Sequence, residues 1–348
     1  MNTYENAMHK CIELAKLGVG KTSPNPMVGC VILDNNGNEI ATGYHKEYGT
    51  FHAERDALNK LNNAIGSTLI VNLEPCCHYG KTPPCTDIII EKGVNTVVYG
   101  MKDPNPLVAG KGLQILQNAG IKIIGPVLEN ECKILNEIFI KNKTENKTYV
   151  AIKTATTIDG KIATFNGNSK WITSEAARKK AKELRKSYDA ILTSSSTVIA
   201  DNPEMNHNIK IILDNNLRTD INSNIYKKGK IYVFCANAQF KNKNQNNITY
   251  IQSPLNNGML DIDFVLSKLY ELGIMSVFVE AGGKLCGSML KYADKVYHFI
   301  APKILSDNSA KACFDGDKKD NISQCSSLVY EKTEIYPPDI LNIYSVKH

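Results

Sequence analysis

His52-Ala53-Glu54, Glu74-Pro75-Cys76 and Cys85 bring an imidazole, carboxylates and two thiols into one short stretch of chain. One imidazole nitrogen and two thiolates make three zinc ligands and leave a fourth position for water. The pattern predicts that each ligand sits at an element terminus. His52 opens a helix over 52–61, Cys76 follows a strand over 68–73, and Cys85 opens a helix that stops at Gly93. A helix start also favours the thiolate of Cys85. Glu54, two residues from His52, is placed to take a proton from water and deliver it to a leaving amine. Cys77 and His78 follow Cys76 directly and compete with it as ligands.

These residues need a rigid support, and the surrounding pattern supplies one. A helix is predicted over 5–17, with Ala7, Cys11, Leu14 and Ala15 on one stripe. Ser23-Pro24-Asn25-Pro26 is a rigid turn. An apolar run over 27–33 and a strand over 39–44 flank the hairpin signal Asp34-Asn35-Asn36-Gly37. Further strands are expected at 95–99 and 121–124, with a helix at 113–118 between them. Alternating strands and helices imply a layered α/β domain. The stretch Lys141 to Lys147 has no apolar residue and reads as a linker, so domains are expected at 1–145 and 146–348. A second α/β series follows. Its strands fall at 149–154, 190–193, 209–213, 231–234 and 276–279, and Thr173-Ser174 caps a helix carrying Ala177, Ala181 and Leu184. Asn-rich and Lys-rich residues 241–247 read as a loop. No internal repeat relates the two series.

His-x-Glu followed by Pro-Cys and a second Cys is the pattern of zinc nucleobase deaminases, although Pro-Cys-x-x-Cys is the usual second half. Here the loop between Cys76 and Cys85 is longer. Phe51-His52-Ala53-Glu54 with Leu73-Glu74-Pro75-Cys76-Cys77-His78-Tyr79-Gly80-Lys81-Thr82-Pro83-Pro84-Cys85 resembles the bifunctional riboflavin biosynthesis deaminase/reductase family. Ser23 to Cys30 and Asp103-Pro104-Asn105-Pro106 to Gly110-Lys111-Gly112 resemble it too. The resemblance implies a cytidine-deaminase-like three-layer domain followed by a dihydrofolate-reductase-like α/β domain. It implies one zinc per chain, NADPH, and a phosphorylated pyrimidine substrate. Asn25 would hold the ribose, or serve only in its turn. Lys81 would meet a phosphate, or stay solvated.

Taken alone, Val279-Glu280-Ala281-Gly282-Gly283 is a strand running into a glycine turn and a helix start. Free N–H groups there can cradle phosphate, but the spacing is not that of the dinucleotide fingerprint. Ala151 to Ala155, Asp159-Gly160-Lys161, Ser169 to Ser174 and Leu192 to Pro203 resemble the reductase half of the same family. By that resemblance, Ala155, Trp171, Thr197, Asp201, Asn215 and the run Gly282, Gly283, Lys284, Leu285, Cys286, Gly287, Ser288 face NADPH. Ser169, Arg185, Met205, Asn208 and Glu280 face the sugar phosphate and pyrimidine. Asp201 is the sequence's candidate proton donor for the reduction. The family reads Asp-Asp-Pro-x-Leu-Thr-Val-Arg where this chain has Asp201 to Asn208, so Asn208 replaces a basic residue. His207 and Lys210 are the nearby basic side chains expected to compensate.

Composition excludes other classes. The chain has 348 residues, enough for about two domains. Its 43% hydrophobic and 22% charged residues exclude a disordered chain. No apolar run approaches the roughly 18 residues of a membrane span. A net charge of +6 over this length is far from a nucleic-acid-binding signature. Ten cysteines form no dense framework, and Met1 to Asn6 carry no export signal, so reduced thiols in a cytoplasm are expected. Self-association is left open. The rival is a nucleic-acid-editing zinc deaminase with an accessory domain. It requires a basic, aromatic-lined groove, for which residues 76–112 supply only Tyr79, Lys81 and Tyr99.

Overall fold

A computed structural model describes residues 3–80, 83–105, 108–237 and 247–347. Lys81 and most of the Asn/Lys-rich 241–247 stretch lie outside the described residues. The chain divides into two compact units, Met1–Asn146 and Lys147–His348.

In the first unit, α1 (Thr3–Lys16) buries Ala7, Met8, Cys11, Ile12 and Ala15 at helical spacing. The hairpin of β1 (Gly29–Leu33) and β2 (Glu39–Tyr44) turns at Asp34, whose carboxylate accepts the N–H groups of Asn36 and Asn38. α2 (Ala53–Leu58), β3 (Thr68–Leu73), α3 (Cys85–Glu91), β4 (Thr96–Met101), α4 (Lys111–Asn118) and β5 (Lys122–Ile124) follow. The sheet order is β2-β1-β3-β4-β5, antiparallel through β3 and parallel from there. β3 and β4 read as near-continuous apolar runs because both faces are covered.

Two glycines show how. Gly29 lies against the α1 backbone, where an added Cβ would stand 2.0 Å from the Cys11 carbonyl. Gly43 lies against α2 in the same way, 2.3 Å from the Ala53 carbonyl. Gly43 is opposite Cys30 in the hairpin, so it shares a face with Cys30 and not with Gly29. The two helices therefore cover opposite faces, giving three layers.

α2 is shorter than the sequence predicts, because Asn59, Asn62 and Asn63 offer nothing to bury and favour turns. Two further helices, α5 (Glu129–Leu135) and α6 (Glu137–Glu145), were not expected. The polar 141–147 stretch is therefore mostly helix. Phe139 anchors α6 in the core, the Thr144 hydroxyl bonds the Ile140 carbonyl, and Asn146 at φ 56° ends the helix.

The second unit runs β6 (Tyr149–Thr156), β7 (Lys161–Ala163), α7 (Glu175–Arg185), β8 (Ala190–Ser194), α8 (Ser195–Asp201), β9 (Ile209–Leu213) and β10 (Lys230–Cys235). It continues with β11 (Ile248–Gln252), β12 (Leu255–Asn256), β13 (Met259–Leu260), α9 (Ile262–Glu271), β14 (Ser276–Val279), α10 (Gly283–Met289), β15 (Lys295–Ile300), β16 (Lys311–Ala312), β17 (Leu328–Tyr336) and β18 (Asp339–Val346). The main sheet orders as β11-β10-β9-β8-β14-β6-β15-β18-β17. It is parallel from β11 to β15 and antiparallel at β18 and β17. Alternate residues feed two clusters. Ala190, Leu192, Ile211 and Phe234 join one, and Ile191, Ile212 and Val233 join the other. Among the described residues, no helix is long and apolar enough to cross a membrane.

Candidate active sites

The first site gathers at element termini. His52 is the N-cap of α2, Cys76 lies just past β3, and Cys85 opens α3. His52 Nδ1 lies 3.4 Å from Cys76 Sγ and 3.5 Å from Cys85 Sγ, and the three ligand atoms all fall within 4.8 Å of one another. A tetrahedral zinc, with bonds of about 2.0–2.1 Å to nitrogen and about 2.3 Å to sulfur, separates such atoms by about 3.6 Å. The donor set and its spacing therefore fit zinc. Cys77 stands outside this cluster. His78 lines the adjoining cavity but is not in the cluster either.

Local backbone chemistry holds the ligands. The N–H groups of Cys85 and Thr86 both donate to the Cys76 carbonyl. The Cys85 N–H also points at Cys76 Sγ, 3.3 Å away. Hydrogen bonding from Cys85, helped by His52, holds the Cys76 thiol well below the ordinary thiol range. Cys76 is thus the depressed thiol, not Cys85: the Cys85 side chain is the main cause, and the His52 ring and the Cys85 amide add to it. Glu74 is a support that sequence reasoning missed. Its buried carboxylate accepts the N–H groups of Asp103, Gly110, Gly112 and Leu113, tying the end of β3 to the loop beside the site.

Glu54 is 3% exposed and faces a cavity of about 160 Å³ beside His52 and Cys76. Burial pushes its carboxyl up to about 7, and the neighbouring Cys76 adds to the rise. A carboxyl poised there can both accept and return a proton near neutrality. Asn25 lines the same cavity, and its Nδ2 lies 3.2 Å from His45 Nε2. His45 Nδ1 lies 3.0 Å from the Phe51 carbonyl. Nδ1 is therefore the donor and Nε2 the acceptor, which leaves the Asn25 amide oxygen free for a ligand hydroxyl.

The second site is a cavity of about 1170 Å³ in the Lys147–His348 unit. It opens at the carboxyl ends of β6, β8, β9 and β14, where open parallel sheets bind ligands. A drug-sized ligand usually needs about 300–1,000 Å³, so this cavity has room for a cofactor and a substrate together. Ala155, Ser169, Trp171, Arg185, Thr197, Asp201, Met205, Asn215 and Glu280 line it, as do Gly282, Gly283, Lys284, Leu285 and Ser288. Asn215 donates to the Gly258 carbonyl, while its buried Oδ1 has no partner. That orphaned acceptor, together with the polar turn at Gly282, fits a dinucleotide.

Cys286 and Gly287 do not line the cavity. The Cys286 thiol is fully buried and donates to the Ala281 carbonyl, and burial pushes it up to about 12. Gly287 abuts the Asp315 carbonyl. On a helix, successive residues cannot all face one way. Asn208 is also outside the lining. It precedes β9, at the opposite end of the sheet from the cavity, and its carbonyl accepts the Lys230 N–H. Neither proposed substitute reaches the cavity. Lys210 Nζ is buried on the Ile225 and Glu204 carbonyls, and the His207 ring contacts the Ile209 and Tyr188 carbonyls.

Lys153 is a further lining residue that the sequence did not single out. It lies in β6 between buried Ile152 and Thr154, with Nζ 3.9 Å from Glu280 Oε1. Burial lowers its pKa, opposed by Glu280.

Comparison with known proteins covers both units. Residues 1–101 match the cytidine and deoxycytidylate deaminase zinc-binding region, and residues 148–341 match the RibD C-terminal domain. The riboflavin biosynthesis protein RibD of Actinobacillus pleuropneumoniae is 39% identical over 355 residues, covering 97% of this chain and 94% of its own. That of Escherichia coli is 35% identical, covering 89% and 90%. The solved RibD of Acinetobacter baumannii superposes with a TM-score of 0.89 at 33% identity over 99% of both chains. So does a Thermotoga maritima diaminohydroxyphosphoribosylaminopyrimidine deaminase/5-amino-6-(5-phosphoribosylamino)uracil reductase, at 0.89 and 36% over 99% of both.

Proposed function

The chain belongs to the RibD family of riboflavin biosynthesis, and from that membership we propose which residues carry each of its two reactions. It is a zinc-dependent deaminase and an NADPH-dependent reductase. The first unit hydrolyses the 2-amino group of 2,5-diamino-6-ribosylamino-4(3H)-pyrimidinone 5′-phosphate. One water is consumed, the ring C–N bond breaks, a carbonyl forms and ammonia leaves. His52, Cys76 and Cys85 would hold the zinc, which when bound would lower the pKa of a water. Glu54 accepts a proton at its carboxylate from the attacking water and returns it to the departing amine. Asn25, oriented by His45, receives a ribose hydroxyl.

The second unit reduces the ribosyl chain to ribityl. When bound, NADPH would supply the hydride that the sugar C1 accepts, and a proton must reach the opened sugar oxygen. We assign that proton to Lys153, because burial makes its ammonium a better acid than an exposed lysine. Asp201, exposed at the end of α8, fits a cofactor-facing role better than proton delivery. Arg185 meets the sugar phosphate, and Ser169, Met205 and Glu280 face the rest of the substrate, its sugar and pyrimidine. Thr197, Asn215, Trp171, Ala155 and the Gly282–Ser288 turn, without Cys286 and Gly287, line the NADPH path.

The single observation that carries the deaminase residues is the approach of His52, Cys76 and Cys85 within 4.8 Å beside buried Glu54. Nucleic-acid editing is the poorer reading, since it leaves the match over residues 148–341 without a role. The enzyme would work in the cytoplasm, on small molecules and not on nucleic acid. Incubation of the purified protein with the diaminopyrimidine, with and without NADPH, tests this reading. Mass analysis should find the deaminated ribosyl compound without NADPH and the ribityl compound with it. An unchanged diaminopyrimidine in both would overturn it.

A further inference from the structure

We propose that Lys182 binds the 5′-phosphate of the reductase substrate. The inference rests on the reductase reading above. Arg178, Lys182 and Arg185 recur on α7 at intervals of four and three residues, which puts them on one face. All three line the large cavity. Two of them are committed. Arg178 donates to the Thr173 carbonyl at 2.6 Å and stands 4.4 Å over the Trp171 ring. Arg185 pairs with Glu280 at 2.6 Å. Lys182 is exposed to the cavity and has no hydrogen bond or ion pair among the described residues.

The charge requirement points the same way. A phosphate monoester carries close to two negative charges near neutrality. Arg185 alone cannot balance them, because Glu280 already offsets its charge. Its Nε is nevertheless buried without a partner, so one donor at this spot awaits an acceptor. Lys182, one turn away on the same face, adds a mobile ammonium that can meet the remaining phosphate oxygens. The other cavity cations are placed differently. Lys153 is drawn to Glu280, and Arg218 donates to the Ser195 and Ser196 hydroxyls. Lys170, Lys284 and Lys311 belong to other segments.

The test compares the wild type, Lys182→Met and Lys182→Arg. Each is given 5-amino-6-(5-phosphoribosylamino)uracil or its dephosphorylated form, with NADPH varied separately. Wild-type reduction of the phosphorylated compound checks the reductase reading by itself. Losing one charge-assisted contact should raise the KM of Lys182→Met for the phosphorylated compound about 10- to 100-fold. Its kcat should stay within about twofold, as expected when uniform binding is lost. The KM for the dephosphorylated compound and for NADPH should not move, and Lys182→Arg should restore the phosphate preference. An equal KM rise for both substrates, a rise confined to NADPH, or no rise would overturn the assignment of Lys182.

Discussion

Arg185 Nη2 lies 2.6 Å from Glu280 Oε2, so the acid at the end of β14 is already engaged by a cation from α7. The other oxygen of the same carboxylate faces Lys153 Nζ at 3.9 Å. One acid therefore serves two cations, and its charge is what favours the protonated form of Lys153 against burial.

A pH profile follows. Reduction needs protonated Lys153, so the rate should fall as pH rises through a pKa that lies below the ordinary lysine value. Glu280→Gln removes the neighbour that raises that pKa. The alkaline decline should then shift to lower pH. Initial rates of NADPH oxidation across pH, at saturating substrate, check this. An alkaline limb that stays in place in the variant would show that Lys153 is not the titrating acid.

The metal prediction concerns Cys76, Cys77 and Cys85. Cys76→Ser and Cys85→Ser should each lose zinc, since each removes one of three protein ligands. Cys77→Ser should keep it, because Cys77 is outside the cluster. Metal analysis of the purified variants decides the matter, and equal zinc loss in all three would reassign the ligands.

Glu54→Gln keeps the shape of the side chain and removes the proton acceptor. Zinc content should stay at the wild-type level. Ammonia release should fall by about 10²–10⁴-fold, the usual loss on removing general acid–base catalysis. Near-normal ammonia release would exclude Glu54 as the proton carrier.

The two sites differed in how far the sequence revealed them. His52, Glu54, Cys76 and Cys85 were legible because each lies at a helix or strand terminus that its own neighbours specify. The second cavity is built from ends of strands far apart in sequence. Lys153 sits in an ordinary strand pattern, and only the parallel pairing of β6 with β14 brings it to Glu280. Cys286 and Gly287 were misplaced because the whole turn was read as one surface, while α10 turns them inward. Helix α6 was hidden because its polar end carries no periodicity of its own and depends on Phe139 for its anchor. The C-terminal hairpin of β17 and β18 went unread for another reason. β17 is an edge strand with Leu328, Val329, Tyr330 and Ile335 all exposed, so it lacks the alternation that marks a half-buried strand.

The last prediction separates the two reactions. All three zinc-cluster residues fall in Met1–Asn146, and the residues lining the large cavity fall in Lys147–His348. The second unit has its own sheet, with an apolar cluster on each face. A fragment beginning at Lys147 therefore has what it needs to fold without the first unit. It should bind NADPH and reduce 5-amino-6-(5-phosphoribosylamino)uracil with no zinc present. Chelation of the full-length enzyme should stop ammonia release and leave that reduction intact. The two measurements check each other. Chelation that abolished both activities would place a metal requirement in the second unit, where the described residues offer no cluster of three ligands. A folded fragment that bound NADPH but left this substrate unreduced would instead point to the substrate end of the cavity. Arg185, Glu280 and Lys153 would then be the first residues to re-examine.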